Sequence, residues 1–174
     1  MGRRVLLAVA CLRRVGYIHQ VETGSPLAQT LLAVSGLAAA ARDPWWIIGS
    51  AAVALHAGHM DDVADVDLLM SATDADRLLR LAGAERFEGK PHAMFRSSVF
   101  GVWRGAALPV DVMGDFSVLT DHGWTAVLPR SRQAFSIAGK DLFAPEVSEL
   151  RGILLSFGRP KDLRRAELLG ATAG

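Results

Sequence analysis

The sequence predicts an α/β (α+β) domain with a mixed central β-sheet, flanking helices and C-terminal helices. Three observations carry that expectation. Strand-length apolar stretches recur at Trp45–Ile48, Asp65–Met70, Met94–Trp103 and Leu108–Met113. Helix-spaced stripes separate or follow them, and glycine, proline or a capping residue stands at most of the junctions. At 174 residues, with 51% hydrophobic and 21% charged, the chain can bury one sizeable core. It shows no internal repeat, low-complexity tract or linker, so residues 25–174 read as a single domain and 1–24 as an N-terminal arm.

Composition narrows the partners. Nineteen basic and 18 acidic residues leave a formal net charge of +1, which requires no nucleic acid. The single cysteine, Cys11, offers neither a disulfide framework nor a thiolate metal site and suits a reducing cytoplasm. The apolar run Val5–Leu12 is 8 residues long, too short for a bilayer, and no small-residue cleavage site follows it. A cytoplasmic protein without a membrane partner is expected.

In chain order, Ser25-Pro26 opens a helix as N-cap and first helical residue. Leu27, Leu31, Val34, Ala38 and Ala41 fall on one stripe, and Asp43-Pro44 is expected to end it. Trp45–Ile48 is a buried strand. A Gly49-Ser50 turn follows, with Ser50 capping a helix over Ala51–Ala57 that Gly58 closes. The unpaired N–H groups of such a first turn can hold an anion, and glycine lets a phosphate approach closely. Thr73 with Asp76 predicts a capping box for a helix to Ala82, stopped by Gly83. Met94–Trp103 and Leu108–Met113 predict an antiparallel pair turning at Gly105. Short strands are expected at Trp124–Leu128, Ala134–Ile137 and Asp141–Phe143. Pro145 begins a helix with Leu150, Ile153, Leu154 and Phe157 inward, ended by Gly158. A last helix starts at Pro160 and carries Lys161, Arg164 and Arg165 on one side.

The chemistry concentrates in three carboxylates. Strand alternation puts Asp65, Asp67 and Leu69 on one face and Val66, Leu68 and Met70 on the other. Two carboxylates on one face repel unless a cation or proton lies between them, and hard oxygen donors suit Mg²⁺. Asp111 interrupts the apolar Val110 and Val112 and needs a partner if its face is buried. His56, His59 and Asp61 imitate a zinc set, but Gly58 breaks the helix between the histidines. Arg96 and His92, just ahead of the middle strand, could face a substrate but read more simply as exposed surface. Arg159 and Lys161 stand where they could reach phosphate oxygens.

The ordered set Ile48-Gly49-Ser50, Asp65-Val66-Asp67-Leu68 and Pro109-Val110-Asp111-Val112 resembles the nucleotidyltransferase superfamily that shares the DNA polymerase β catalytic fold. Phe157-Gly-Arg-Pro-Lys-Asp162 is similar to the end of small bacterial members, among them aminoglycoside-adenylyltransferase-like proteins and the nucleotidyltransferase toxins of toxin–antitoxin systems. The resemblance implies that Asp65, Asp67 and Asp111 hold Mg²⁺ (or Mn²⁺), and that Gly49, Ser50 and Lys161 bind the triphosphate of an NTP such as ATP. It implies transfer of a nucleoside monophosphate to a hydroxyl of a small molecule, an RNA end or a protein, with release of pyrophosphate. It leaves room for a homodimer or an antitoxin partner. Two other readings use the same residues: an inactive nucleotide-binding or interaction module, and a metallo-phosphoesterase.

Overall fold

The computed structural model describes residues 16–17, 24–58, 63–87 and 92–171. The chain begins with β1 (Gly16–Tyr17), α1 (Pro26–Ala38), β2 (Trp46–Ile48), α2 (Gly49–Ala57) and β3 (Val66–Met70). It continues through α3 (Ala72–Leu81), β4 (Glu85–Arg86), β5 (Phe95–Arg96), β6 (Val99–Trp103), β7 (Val110–Gly114) and β8 (Ser117–Thr120). It closes with β9 (Gly123–Ala126), β10 (Gln133–Ile137), β11 (Lys140–Ala144), α4 (Val147–Phe157) and α5 (Pro160–Ala171).

The central sheet is mixed, as expected, with strand order β2-β3-β7-β6-β4. Only β3 and β7 pair in parallel within it; the other neighbours are antiparallel. Two three-stranded sheets, β1-β10-β11 and β5-β8-β9, flank it.

Alternation gives the central sheet two unlike faces. Val66, Leu68, Val110 and Val112 are fully buried on one of them. There α3 packs against β6 and β7. Gly114 makes that close approach possible, since a Cβ on it would come within 2.7 Å of the Ala72 Cα. The other face carries Asp67, Asp111 and Met113 and forms the wall of a cavity. Helix α2 is buried from Gly49 to Leu55 because β2 and β3 as well as α4 and α5 pack on it.

Local signals placed several boundaries correctly. The Ser25 hydroxyl accepts from Ala28 N–H at 3.2 Å with Pro26 at the first helical position. Gly58 and Gly158 close α2 and α4 in the left-handed conformation. Leu150, Leu154 and Phe157 are buried and Ile153 packs partly buried against the core.

Other boundaries moved, each for a long-range reason. Helix α1 ends at Ala38, ahead of Asp43-Pro44, because Arg42 and Asp43 donate their N–H groups to the Asp74 carboxylate at 2.8 and 2.7 Å. The cap of α3 is Ser71, not Thr73: β3 ends at Met70, and the Ser71 hydroxyl accepts from Asp74 N–H at 3.2 Å. Helix α2 already starts at Gly49, so Ser50 is a buried first-turn residue rather than its cap. Asp65 lies just ahead of β3, not within it. The stretch Met94–Trp103 is two strands, because β5 leaves the central sheet to pair with β8. β4 and β8 had no expectation, and α4 begins at Val147, two residues after Pro145. Gly16–Tyr17 pair in parallel with Phe135–Ser136, while the rest of the 1–24 reading before Gly24 lies outside the described residues.

Asp74 therefore joins the α1–β2 turn to α3, adding a 2.8 Å salt bridge to Arg77 on its own helix while itself 3% exposed. Asp74→Ala strands two backbone N–H groups and is expected to cost roughly 2–4 kcal/mol in urea denaturation at neutral pH. A loss below about 0.5 kcal/mol would mean that the α1–β2 turn stands without it.

Candidate active site

Parallel pairing brings the carboxylates together. Asp67 on β3 stands in register with Asp111 on β7, which sets their backbones about 4.8 Å apart. Asp65, two residues before Asp67, joins them in lining a cavity of about 650 Å³. Val66, Val110 and Val112 hold this register by filling the opposite face.

That assembly is electrostatically costly. Burial, then the neighbouring Asp65 and Asp111, raise the Asp67 pKa from 3.8 to about 7 against the attraction of Arg159 and Arg165. Burial and Asp65 also raise Asp111, opposed by Arg104. Among the described residues no three acidic, histidine or cysteine side chains are drawn together as a closed metal cage. The donor set nevertheless fits a hard divalent cation: carboxylate oxygens, partly desolvated, on neighbouring positions of one cavity wall.

Gly49 sits directly against Asp67. Its φ is +64°, and a Cβ there would lie 2.1 Å from Asp67 Oδ2, so two separate constraints demand glycine. Helix α2 starts at this point, bringing unpaired N–H groups to the cavity edge. Ser50 is 2% exposed and does not line the cavity with its neighbour Gly49.

The start of α5 contributes positive charge. Arg159, Lys161 and Arg165 all line the cavity. Asp162, fully buried, holds Arg159 with two hydrogen bonds of 2.5 and 3.1 Å and approaches Arg165 at 3.5 Å. Asp162 thus fixes two cations near Asp67, a role that the sequence reading missed. The Arg159–Asp162–Arg165 spacing of three on a helix was the available signal. Phe95, Phe116 and Phe157 pack as an aromatic cluster with ring centroids 5.2–5.9 Å apart, and Arg159 lies 4.7 Å over Phe95.

His92 and Arg96 are exposed, as expected, and they also line the cavity. The β5–β8 pairing, which no local pattern announces, carries them there. The zinc reading finds no support at His56: its Nε2 bonds the Pro145 carbonyl at 2.8 Å and its ring meets Phe135 edge-on. Burial lowers the His56 pKa despite that hydrogen bond. His59 and Asp61 lie outside the described residues.

No protein-family model and no curated protein matches the sequence. Solved structures do match its fold. A Thermotoga maritima protein, TM1012, assigned as a nucleotidyltransferase, superposes with a TM-score of 0.64 at 18% identity, covering 82% of this chain and 89% of that one. ANT(2")-Ia in complex with adenylyl-2"-tobramycin gives 0.54 at 15% identity, with 83% and 88% covered. The lincosamide antibiotic adenylyltransferase LnuA, lincomycin-bound, gives 0.54 at 11% identity, with 82% and 95% covered. The fold is that of nucleotidyltransferases.

The raised Asp67 pKa has a stability consequence of definite sign. At low pH the carboxyl is protonated in both folded and unfolded chains and costs nothing. Between about 4 and about 7 the unfolded chain ionises first, so the wild type loses stability as pH rises. In EDTA, Asp67→Asn should therefore gain on wild type across that interval, by roughly 10 °C in Tm at pH 8 relative to pH 4. Scanning calorimetry at the two pH values checks it; a pH-independent difference would show that Asp67 titrates normally.

Proposed function

We propose that this protein transfers a nucleoside monophosphate, AMP from ATP, to an acceptor hydroxyl and releases pyrophosphate. The observation that carries this reading is the in-register Asp67–Asp111 pair with Asp65 on one cavity wall, facing the Gly49 start of α2. The fold shared with nucleotidyltransferases supports it.

Asp65, Asp67 and Asp111 would hold Mg²⁺ or Mn²⁺. When bound, such ions supply Lewis-acid stabilisation of the attacking and leaving oxygens in an in-line displacement. The protein's own groups divide the remaining work. Arg159, Lys161 and Arg165, with the N–H groups at Gly49, bind and neutralise the triphosphate. Asp111 accepts the acceptor's hydroxyl proton. The hydroxyl oxygen forms a bond to the α-phosphorus, the bond from that phosphorus to pyrophosphate breaks, and the proton resides on the Asp111 carboxylate. Ser50, buried in the first turn of α2, takes no direct part in binding.

Two other readings predict different products. A metallo-phosphoesterase releases orthophosphate, and an inactive module binds nucleotide indifferently to Mg²⁺. Incubation with α-labelled ATP, Mg²⁺ and pools of hydroxyl acceptors is expected to yield pyrophosphate and a labelled acceptor. Asp67→Asn should reduce the rate by roughly a thousandfold or more. Lys161→Ala should raise the KM for ATP by about tenfold with a smaller change in kcat. Orthophosphate as the product, or nucleotide binding unchanged by both Mg²⁺ removal and Asp67→Asn, would overturn the reading.

A further inference from the structure

We infer that Asp162 is a positioning residue that withholds Arg159 and Arg165 from Asp67, leaving the Asp67 carboxylate open to a cation and the guanidiniums open to phosphate. The inference rests on the cation site proposed above, because pairing with arginine harms only carboxylates that have an ion to receive. A guanidinium presented to a partly desolvated carboxylate closes on it, commonly through two parallel N–H···O bonds. Arg159 and Arg165 line the same cavity as the three carboxylates, and their charge is felt at Asp67. Among the described residues, however, the salt bridges of both arginines go to Asp162, and Asp65, Asp67 and Asp111 make none.

Asp162 wins this competition through its place in the fold. It stands in the first turn of α5, where unpaired N–H groups and the helix dipole favour negative charge. Arg159 directly precedes α5 and Arg165 follows Asp162 by three residues, so the helix itself brings both donors to one acid. Arg159 Nε and Nη2 donate to the two Asp162 oxygens, and complete burial of the acid keeps water from weakening the pair. Phe95 adds a second hold, its ring 4.7 Å from the Arg159 guanidinium. Asp162 lies behind the cavity wall rather than on it, so it competes for the arginines without competing for the ion.

Without that buried anion, the acids lining the cavity are the arginines' remaining partners, and Asp67 is the one that feels the charge of both. A guanidinium paired there would occupy the oxygens that a hard cation needs as ligands. It would also tie up the positive charge that the triphosphate needs. One buried acid thus keeps two sets of ligands available side by side, oxygens for the ion and guanidiniums for phosphate.

Two measurements separate this role from a merely structural one. In the first, Mn²⁺ alone, without nucleotide, is titrated into the full chain and followed by electron paramagnetic resonance. Asp162→Asn should bind Mn²⁺ at least about tenfold more weakly than wild type. Adding Arg159→Gln and Arg165→Gln to Asp162→Asn should restore the affinity to within about threefold, because the competing guanidiniums are gone. A site that had simply been distorted would not regain the ion when two more side chains are removed. Equal Mn²⁺ binding in wild type and Asp162→Asn, or no recovery in the triple variant, would overturn the inference. In the second, crystals grown in EDTA should show both guanidiniums on Asp162 in wild type and at least one on Asp67 in Asp162→Asn. Guanidiniums that stay in place in the variant contradict the inference. So does a guanidinium on Asp67 in the metal-free wild type, and that result stands even if Asp162→Asn does not fold. If wild type binds no Mn²⁺, the cation reading fails instead, and the crystals still decide which carboxylate holds the arginines.

Discussion

The parallel register of β3 and β7 is the constraint on which the site depends. It sets Asp67 beside Asp111 on a wall already occupied by Asp65, and burial then makes every negative charge there expensive. The surrounding structure answers that cost in distinct ways. Gly49 gives up its side chain so that the carboxylate fits. Buried Asp162 spends its own charge on holding Arg159 and Arg165. The compensation is partial, since Asp67 still ends with a pKa near neutrality, raised to about 7. A site with that residual imbalance favours a proton or a cation, and the proposed divalent ions are the second of these.

Rigidity for this arrangement comes from contacts far from the cavity. The valines behind the carboxylates are fully buried, and α3 clamps that face through close approach at Gly114. Asp74 ties the exit of α1 to α3, and Thr30 accepts Leu108 N–H at 2.8 Å just ahead of β7. Glu149 accepts from Arg130 and Ser131 N–H at 2.7 Å, and Trp46 Nε1 donates to the Ser131 carbonyl at 2.8 Å. Polar bonds of this kind hold loops where apolar burial is sparse, so both ends of the carboxylate strands are anchored.

What could be read from residue order was whatever local physics decides. Alternation at Asp65–Met70 and around Asp111 told which face each side chain takes, and Ser25, Gly58 and Gly158 marked helix ends through their own backbone chemistry. The carboxylate set was legible because acids against an apolar background stand out. The missing parts depend on distant partners. No local signal divides Met94–Trp103, because the break arises from β5 pairing with β8. For the same reason the exposed Arg96 and His92 gave no local sign that the surface they occupy is the cavity's wall. Asp162 drew no reading beyond its place in the closing motif, although it is fully buried and bound to two arginines.

The central claim is that Asp65, Asp67 and Asp111 together form a divalent-cation site, and Mn²⁺ binding followed by electron paramagnetic resonance tests it most directly. Titrated with α,β-methylene-ATP at pH 8, the wild type should remove Mn²⁺ from the free signal beyond what the nucleotide binds alone. Asp65→Asn, Asp67→Asn and Asp111→Asn should each lose that additional binding while remaining folded by circular dichroism. Mn²⁺ binding that is equal in wild type and all three variants would contradict the account.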